Sequence, residues 1–345
     1  MATISDDHPD RRLPSAGWHL ALRWYTGGMA GGEIAAQMRH EAGALLRELD
    51  DEQRKFAALE FGDHAARRWI EYRPNPRPGG CLALMSVAGR KAANRLLATG
   101  LSEHCFAQAM AVVALEEVLD LQERRAMKRH SGDYFLTVFG DPAGDDVWSW
   151  RFEGHHLSVT MTIAGDEVSP APVFLGANPA RVSYAGRTVS RPLGPEEDLG
   201  HSLLDALGPV GRMKAVVSDQ APGDIHSATS ARAVQVAPRG IAASALGPTA
   251  RALLGQIVAL YLDRLPEALA AREAAKFANS EVYFAWEGQL TREDRHYYRV
   301  QADDLLIEFD KTNANHAHTV LRRPGGDFGA DILAAHHREA DHPAS

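Results

Sequence analysis

His316 and His318 are the sharpest pair in the chain. They stand one residue apart in Asn315-His316-Ala317-His318-Thr319-Val320, after the apolar run Leu305-Leu306-Ile307-Glu308-Phe309-Asp310. In an extended chain, residues two apart face the same side. Both imidazoles can therefore address one point. Far upstream, Glu153-Gly154-His155-His156-Leu157-Ser158 places two more histidines at another expected strand start. Side by side on a strand, they point to opposite faces. His155 then shares a face with Leu157, Val159, Met161 and Ile163, and His156 with Ser158, Thr160 and Thr162. A polar pocket selects His156 and a buried ligand selects His155. A metal ion needs neutral imidazoles converging from a rigid frame, usually with three or four ligands in all. Asp310 supplies either a further ligand or a carboxylate that orients an imidazole. The expected ion is divalent: zinc, copper and non-haem iron all suit this donor set. Metal ligation requires nitrogens about 3–4 Å apart, from metal–nitrogen distances near 2.0–2.1 Å.

Four further residues are candidates for catalysis. Glu153 and Glu287 each follow a bulky aromatic, Phe152 and Trp286. A carboxyl at an apolar strand end has a raised pKa and can move protons. His296 and Arg299 bracket Tyr297-Tyr298, where Arg299 suits an anionic or carbonyl substrate. His226, in Asp224-Ile225-His226, reads as a solvated loop residue, and His336-His337 as a surface pair. There is no phosphate loop, no H-E-x-x-H and no nucleophile elbow.

The elements that must position these residues divide in two. Residues 17–60, 83–98 and 102–127 have helical spacing, with Ser102 a natural N-cap and Gly100 a natural stop. From Asp133 the pattern changes to short strands separated by turns: 134–139, 147–153, 155–164 and 168–174. Helices are expected over 196–207 and 248–265, and strands over 282–286, 296–301 and 305–310. A short helix follows near 330–339. Residues 219–243 form a long loop rich in Ala, Pro, Gly and Ser. Val147–Gly154 and Val282–Gly288 echo each other, both being aromatic strands that end in Glu-Gly. The reading is an α+β chain: a leader over 1–16, one domain over 17–338 (helical 17–128, mainly β 133–338) and a tail over 339–345. The helical half packs on an antiparallel sheet.

Composition narrows the function classes. The chain has 345 residues, 45% hydrophobic and 24% charged, with a formal net charge of -8. Mixed charge of that sign gives no support to nucleic-acid binding. No apolar run approaches the 18 residues or so that a membrane helix needs. Residues 1–17 lack the apolar segment of a secretory signal. Cys81 and Cys105 are the only cysteines, fitting two free thiols in a reducing cytoplasm.

Several motifs occur in one order: Phe152–Ser158, Phe174–Ala180, Glu196–Gly200, Phe284–Gly288, His296–Arg299, Ile307–Asp310, Asn315–Val320 and Gly326–Gly329. Together they resemble the family catalogued as domain of unknown function 3500, over roughly residues 30 to 337. The resemblance implies one family unit and no particular activity. Lys311 departs from the small polar residue expected after Asp310. Three function classes stay open. The first is a metal-dependent enzyme, hydrolytic or oxidative, acting on a small molecule. The second is a metal-free acid–base enzyme built on His296 or His316 with Asp310 or Glu287. The third is a non-catalytic small-molecule-binding protein.

Overall fold

The computed structural model describes residues 31–127, 129–313 and 315–334. The expected leader, the tail and His336-His337 lie outside them. The helix expected over 17–60 is two helices within the described part, α1 (Gly31–Glu48) and α2 (Asp51–Ala57). Asp50 separates them: its carboxylate accepts the Gln53 N–H at 2.8 Å and Gln53 answers to the Asp50 N–H. This is a capping box, which starts a new helix. Ser86 and Ser102 cap α4 (Val87–Gly100) and α5 (Glu103–Gln122) by accepting the N–H of Gly89 and Cys105, and α4 stops at Gly100 as expected.

The chain runs twice through one sequence of elements. The first pass is α1, α2, β1 (Ala58–Leu59), a loop carrying α3 (His64–Arg67), β2 (Gly80–Cys81), α4, α5, β3 (Tyr134–Phe139), β4 (Trp148–Gly154), β5 (Leu157–Ala164), β6 (Glu167–Ser169) and β7 (Val173–Ala177). A small hairpin follows, β8 (Val182–Tyr184) and β9 (Arg187–Ser190). The second pass is α6 (Gly194–Ala206), α7 (Gly208–Ala215), β10 (Val216–Ser218), a long loop, β11 (Ile241–Ala242), α8 (Pro248–Leu262), α9 (Glu267–Lys276), β12 (Tyr283–Gly288), β13 (His296–Ala302), β14 (Leu305–Asn313) and β15 (His316–Arg322).

One 13-stranded sheet holds both passes, and its order is a palindrome: β1-β3-β4-β5-β7-β15-β14-β13-β12-β10. β2 adds to β3 as β11 adds to β12, and each pass opens with a parallel edge pair, β1 with β3 and β10 with β12. Register keeps one constant offset between the passes. Val138 and Trp286 face the parallel edge strands, Leu136 and Phe284 face β2 and β11, and Phe152 matches Val300 as Val159 matches Ile307. Gly140 and Gly288 hold matched positions with φ of 83° and 94°, as do Gly79 and Gly240 with 128° and 84°. That backbone region is open to glycine and costly for other residues. The halves are therefore an internal duplication about a pseudo-two-fold axis between the antiparallel strands β7 and β15. The sequence echo had the wrong partner: β12 corresponds to β3, and β4 to β13.

The two faces of the sheet differ. Directly paired residues on antiparallel strands share a face. Trp150, Phe152, Met161, Leu175, Ile307, Phe309 and Tyr298 form the helix side and are all buried. The approach is close: a Cβ on Gly100 of α4 would lie 2.8 Å from the Trp150 ring, and one on Gly200 of α6 would lie 2.6 Å from Tyr298. The other face carries polar side chains and is roofed by the two loops, residues 60–79 and 219–240. Arg151 donates to the carbonyls of Ala66, at 2.7 Å, and Trp69. Its counterpart Arg299 donates to Pro238 O. Glu153 accepts the Glu71 N–H at 2.9 Å, while its counterpart Gln301 bonds both the N–H and the carbonyl of Val236. Buried backbone groups need such partners, and here they come from the sheet.

Candidate functional site

The histidines meet on the polar face, where the two halves join. A single cross-strand row runs Glu287, Tyr297, Asp310, His318, Gly176 over β12, β13, β14, β15 and β7. His316 lies at the start of β15, beside an irregularity in the β14 pairing. His155 and His156 are not on a strand. They form the turn between β4 and β5, and His156 has φ of 62°. A turn breaks the alternation of a strand, so the expected choice between opposite faces does not arise. Their rings lie against each other instead, tilted by 31° with centroids 3.7 Å apart.

His156, His316 and His318 bring one ligand atom each to within 4.8 Å of one another. Nε2 of His156 lies 2.8 Å from Nε2 of His316, a little closer than a pair spanning an ion. Nε2 of His318 is buried and has no hydrogen-bond partner. Its Nδ1–H donates to Asp224 at 2.8 Å, and the Tyr72 hydroxyl donates to the other Asp224 oxygen at 2.8 Å. A carboxylate on Nδ1 fixes the tautomer that presents Nε2 as a lone pair. Gly176 makes the room: a Cβ there would sit 2.7 Å from the His156 ring and 3.0 Å from His318.

Electrostatics favour the neutral form of His156 and His316. Burial pushes His156 well below the usual histidine range, and the imidazoles of His155, His318 and His316 add to it. Burial, with His318 and His155 alongside, lowers His316 to about 3. For Asp224, burial is the largest influence and acts upward, but hydrogen bonds from His318 and Tyr72 outweigh it and hold the carboxyl low. Tyr72, Phe174, Ile225 and Val320 belong to an apolar cluster of their own on this face. Tyr72 stacks on Phe174 at 3.9 Å, and both rings lie against His318. Solvent reaches the cluster at His316, the one member of the three that is partly exposed.

The remaining candidates are placed elsewhere. Asp310 does not group with the three imidazoles; it groups with His318 and Asp224. Burial raises it to about 6 despite a hydrogen bond from Thr312. His155 turns to α5, where its Nδ1 lies 2.5 Å from Glu116, with Arg129 beside it. Glu153 is raised by burial and is held by the Ser158 hydroxyl, the Glu71 N–H and Arg151. Glu287 and Arg299 pair with each other, and His226 binds Glu287 at 3.1 Å. Arg299 is thus a fully buried roof anchor, its two terminal nitrogens held by Glu287 and Pro238 O. His296 is on the helix side: its cross-strand partner is Lys311, one residue out of phase with Asp310. It stacks on Trp286 and meets His201.

The chain matches the family model described as "Protein of unknown function (DUF3500)" over residues 31–330. It belongs to that family. No curated protein and no solved structure matches it. Among the described residues of this family member, no helix is long and apolar enough to cross a membrane.

Sequence reading missed Asp224, Tyr72 and Gly176. The one available signal was Asp224-Ile225-His226 in the long loop, where the histidine was considered and the aspartate passed over. Asp224 reaches the site while His226 turns to Glu287.

Proposed function

We propose that the chain is a metal-dependent enzyme whose divalent ion is held by His156, His316 and His318. The observation that carries the reading is the convergence of three imidazoles, one of them oriented by the half-buried Asp224 carboxylate. Three protein ligands leave a coordination position open, as catalytic rather than structural sites do. Zinc, copper and non-haem iron all fit an all-imidazole set. When bound, such an ion supplies Lewis-acid or redox chemistry. The residues of the chain do the rest. Asp224 orients His318, Tyr72 holds Asp224, and the Tyr72–Phe174 stack keeps water from the inner side. Partial exposure at His316 gives access that suits a small-molecule substrate, and the reaction is hydrolytic or oxidative according to the element.

Metal analysis tests this directly. Purified, untagged protein is assayed by mass spectrometry beside the double variant His316→Ala/His318→Ala. Near-stoichiometric metal in the first, lost in the second, supports the site. Equal and negligible content in both, after zinc, iron and copper are added back, overturns it. One observation favours a metal-free acid–base reading: His318–Asp224 and His226–Glu287 are both histidine–carboxylate pairs at hydrogen-bond distance. That reading predicts an activity indifferent to chelators.

A further inference from the structure

Four groups of side chains bring three ligand atoms together among the described residues. Charge separates them. In Glu197, His201 and His296, the carboxylate already has cations: Lys311 lies 3.0 Å from Oε1 and Arg191 lies 2.5 Å from Oε2. In Glu116, His155 and His156, Arg129 stands beside both Glu116 and His155. The third group is the imidazole cluster above. The fourth is Asp224, Asp310 and His318, and it holds two carboxylates. Among the described residues, neither forms an ion pair with a lysine or arginine.

The lack of a direct ion pair is unusual here, and Arg295 and Arg73 act on Asp310 and Asp224 only from a distance. Buried carboxylates elsewhere face guanidinium groups, as in Glu153–Arg151, Glu196–Arg264 and Asp327–Arg322. Glu308 is filled instead by the Tyr297 hydroxyl and the Ser227 N–H. Asp310 is fully buried, its Oδ2 accepts only the Thr312 hydroxyl at 2.6 Å, and its Oδ1 has no partner at all. A buried carboxylate without a partner is costly, and coordination to a cation is one of the few remedies.

We propose that Asp224, Asp310 and Nδ1 of His318 form a second divalent-cation site beside the first. It goes beyond the three-imidazole reading; only the sharing of His318 rests on that reading. Two carboxylate oxygens and one imidazole nitrogen suit Zn2+ or Mn2+. On binding, Nδ1 releases its proton to solvent and the ion takes the proton's place between Nδ1 and Asp224. With the first site filled through Nε2, His318 becomes a bridge between two ions. Tyr72 and Thr312 keep their hydrogen bonds to the outer oxygens and hold both carboxylates in place.

The test counts Zn2+ retained after gel filtration by the wild-type chain, Asp310→Asn and His316→Ala, with circular dichroism as the fold check. Two equivalents in the wild type and one in each variant are expected. One equivalent in the wild type that a folded Asp310→Asn retains, or two in a folded Asp310→Asn, overturns the second site. Loss of an ion in Asp310→Asn but not in His316→Ala upholds the second site and overturns the first. A second measurement covers the case of a variant that does not fold. Wild-type protein loaded with two equivalents of Cu2+ is examined by electron paramagnetic resonance. Two ions across one imidazolate couple, so the integrated signal falls below half of that for two isolated ions. Full, uncoupled intensity overturns the shared His318 bridge.

Discussion

At the scale of single residues, the site depends on one absence and one carboxylate. Gly176 leaves the space into which two imidazoles fit, since a Cβ would stand 2.7 Å from one ring and 3.0 Å from the other. Gly176→Ala must push His156 and His318 apart. Overpacking of this kind costs about 1–3 kcal/mol. The variant should melt at a lower temperature and bind metal at least about tenfold more weakly, by the usual effect of disturbing ligand orientation. Asp224→Asn separates orientation from packing. The amide is the same size, but it no longer selects the His318 tautomer that presents Nε2. Metal affinity should fall about 10–100-fold with little change in melting temperature; an unchanged affinity would show that Asp224 does not orient the ligand. The two partners were not equally legible. His316 and His318 could be found because strand alternation alone brings them to one side. Asp224 could not, because the roof loop delivers it across the sheet and no spacing in the sequence encodes that contact. Asp310 was visible, but its place beside Asp224 rather than among the imidazoles was not.

At the scale of elements, the polar face is a sheet that holds down its own roof. Arg151 and Arg299 occupy matched positions in the two passes, and each donates to carbonyls of the loop above it. Removing either takes away the side-chain hydrogen bonds that tie its loop to the sheet, each worth about 1–3 kcal/mol when the donor is charged. Arg151→Met should therefore loosen residues 60–79, and Arg299→Met residues 219–240. Limited proteolysis followed by mass spectrometry reads this out: each variant should be nicked in its own loop and spared in the other. Nicking of the same loop in both would refute the assignment of one anchor to one roof. Arg299→Met should also weaken metal binding, because its loop carries Asp224, whereas substrate recognition predicts an effect on turnover alone. The strands were readable from alternation and turn residues, and α4, α5 and α8 from helical spacing and caps. What was not readable was which face each strand presents to which cover. His296 and Asp310 both looked suited to a polar site, yet pairing in the sheet puts them on opposite sides.

At the scale of the whole molecule, the duplication explains why one sheet has two characters. Both halves bury an apolar face under helices, and both roof a polar face with a loop. Matched positions then diverged. Thr162 corresponds to Asp310, the His155-His156 turn to Asp303-Asp304, and Trp148 to His296. A few matched positions keep their residue, among them Arg151 and Arg299, and Gly140 and Gly288, but others do not, so the duplication is plainest in pairing order. The last substitution has a cost that can be measured. His296 is fully buried on the helix side beside His201, among Glu197, Lys311 and the more distant Arg292. Burial lowers both imidazoles from 6.5 to about 4; each is lowered further by a nearby positive group, Arg292 for His201 and His201 itself for His296. The sign follows from which state takes protons. Above pH 6.5 both folded and unfolded chains hold these groups neutral, and stability is complete. Between about 6.5 and 4 the unfolded chain binds protons that the folded chain refuses, so stability falls as the pH drops. Below about 4 both states are protonated and this loss is complete, on the order of a few kcal/mol for the coupled pair. Urea midpoints measured from pH 7.5 to 4 should decline across that window. The decline should be shallower in His201→Gln/His296→Gln, whose side chains do not titrate. An equally steep decline in the double variant would place the acid sensitivity elsewhere, in the polar face and its imidazole cluster.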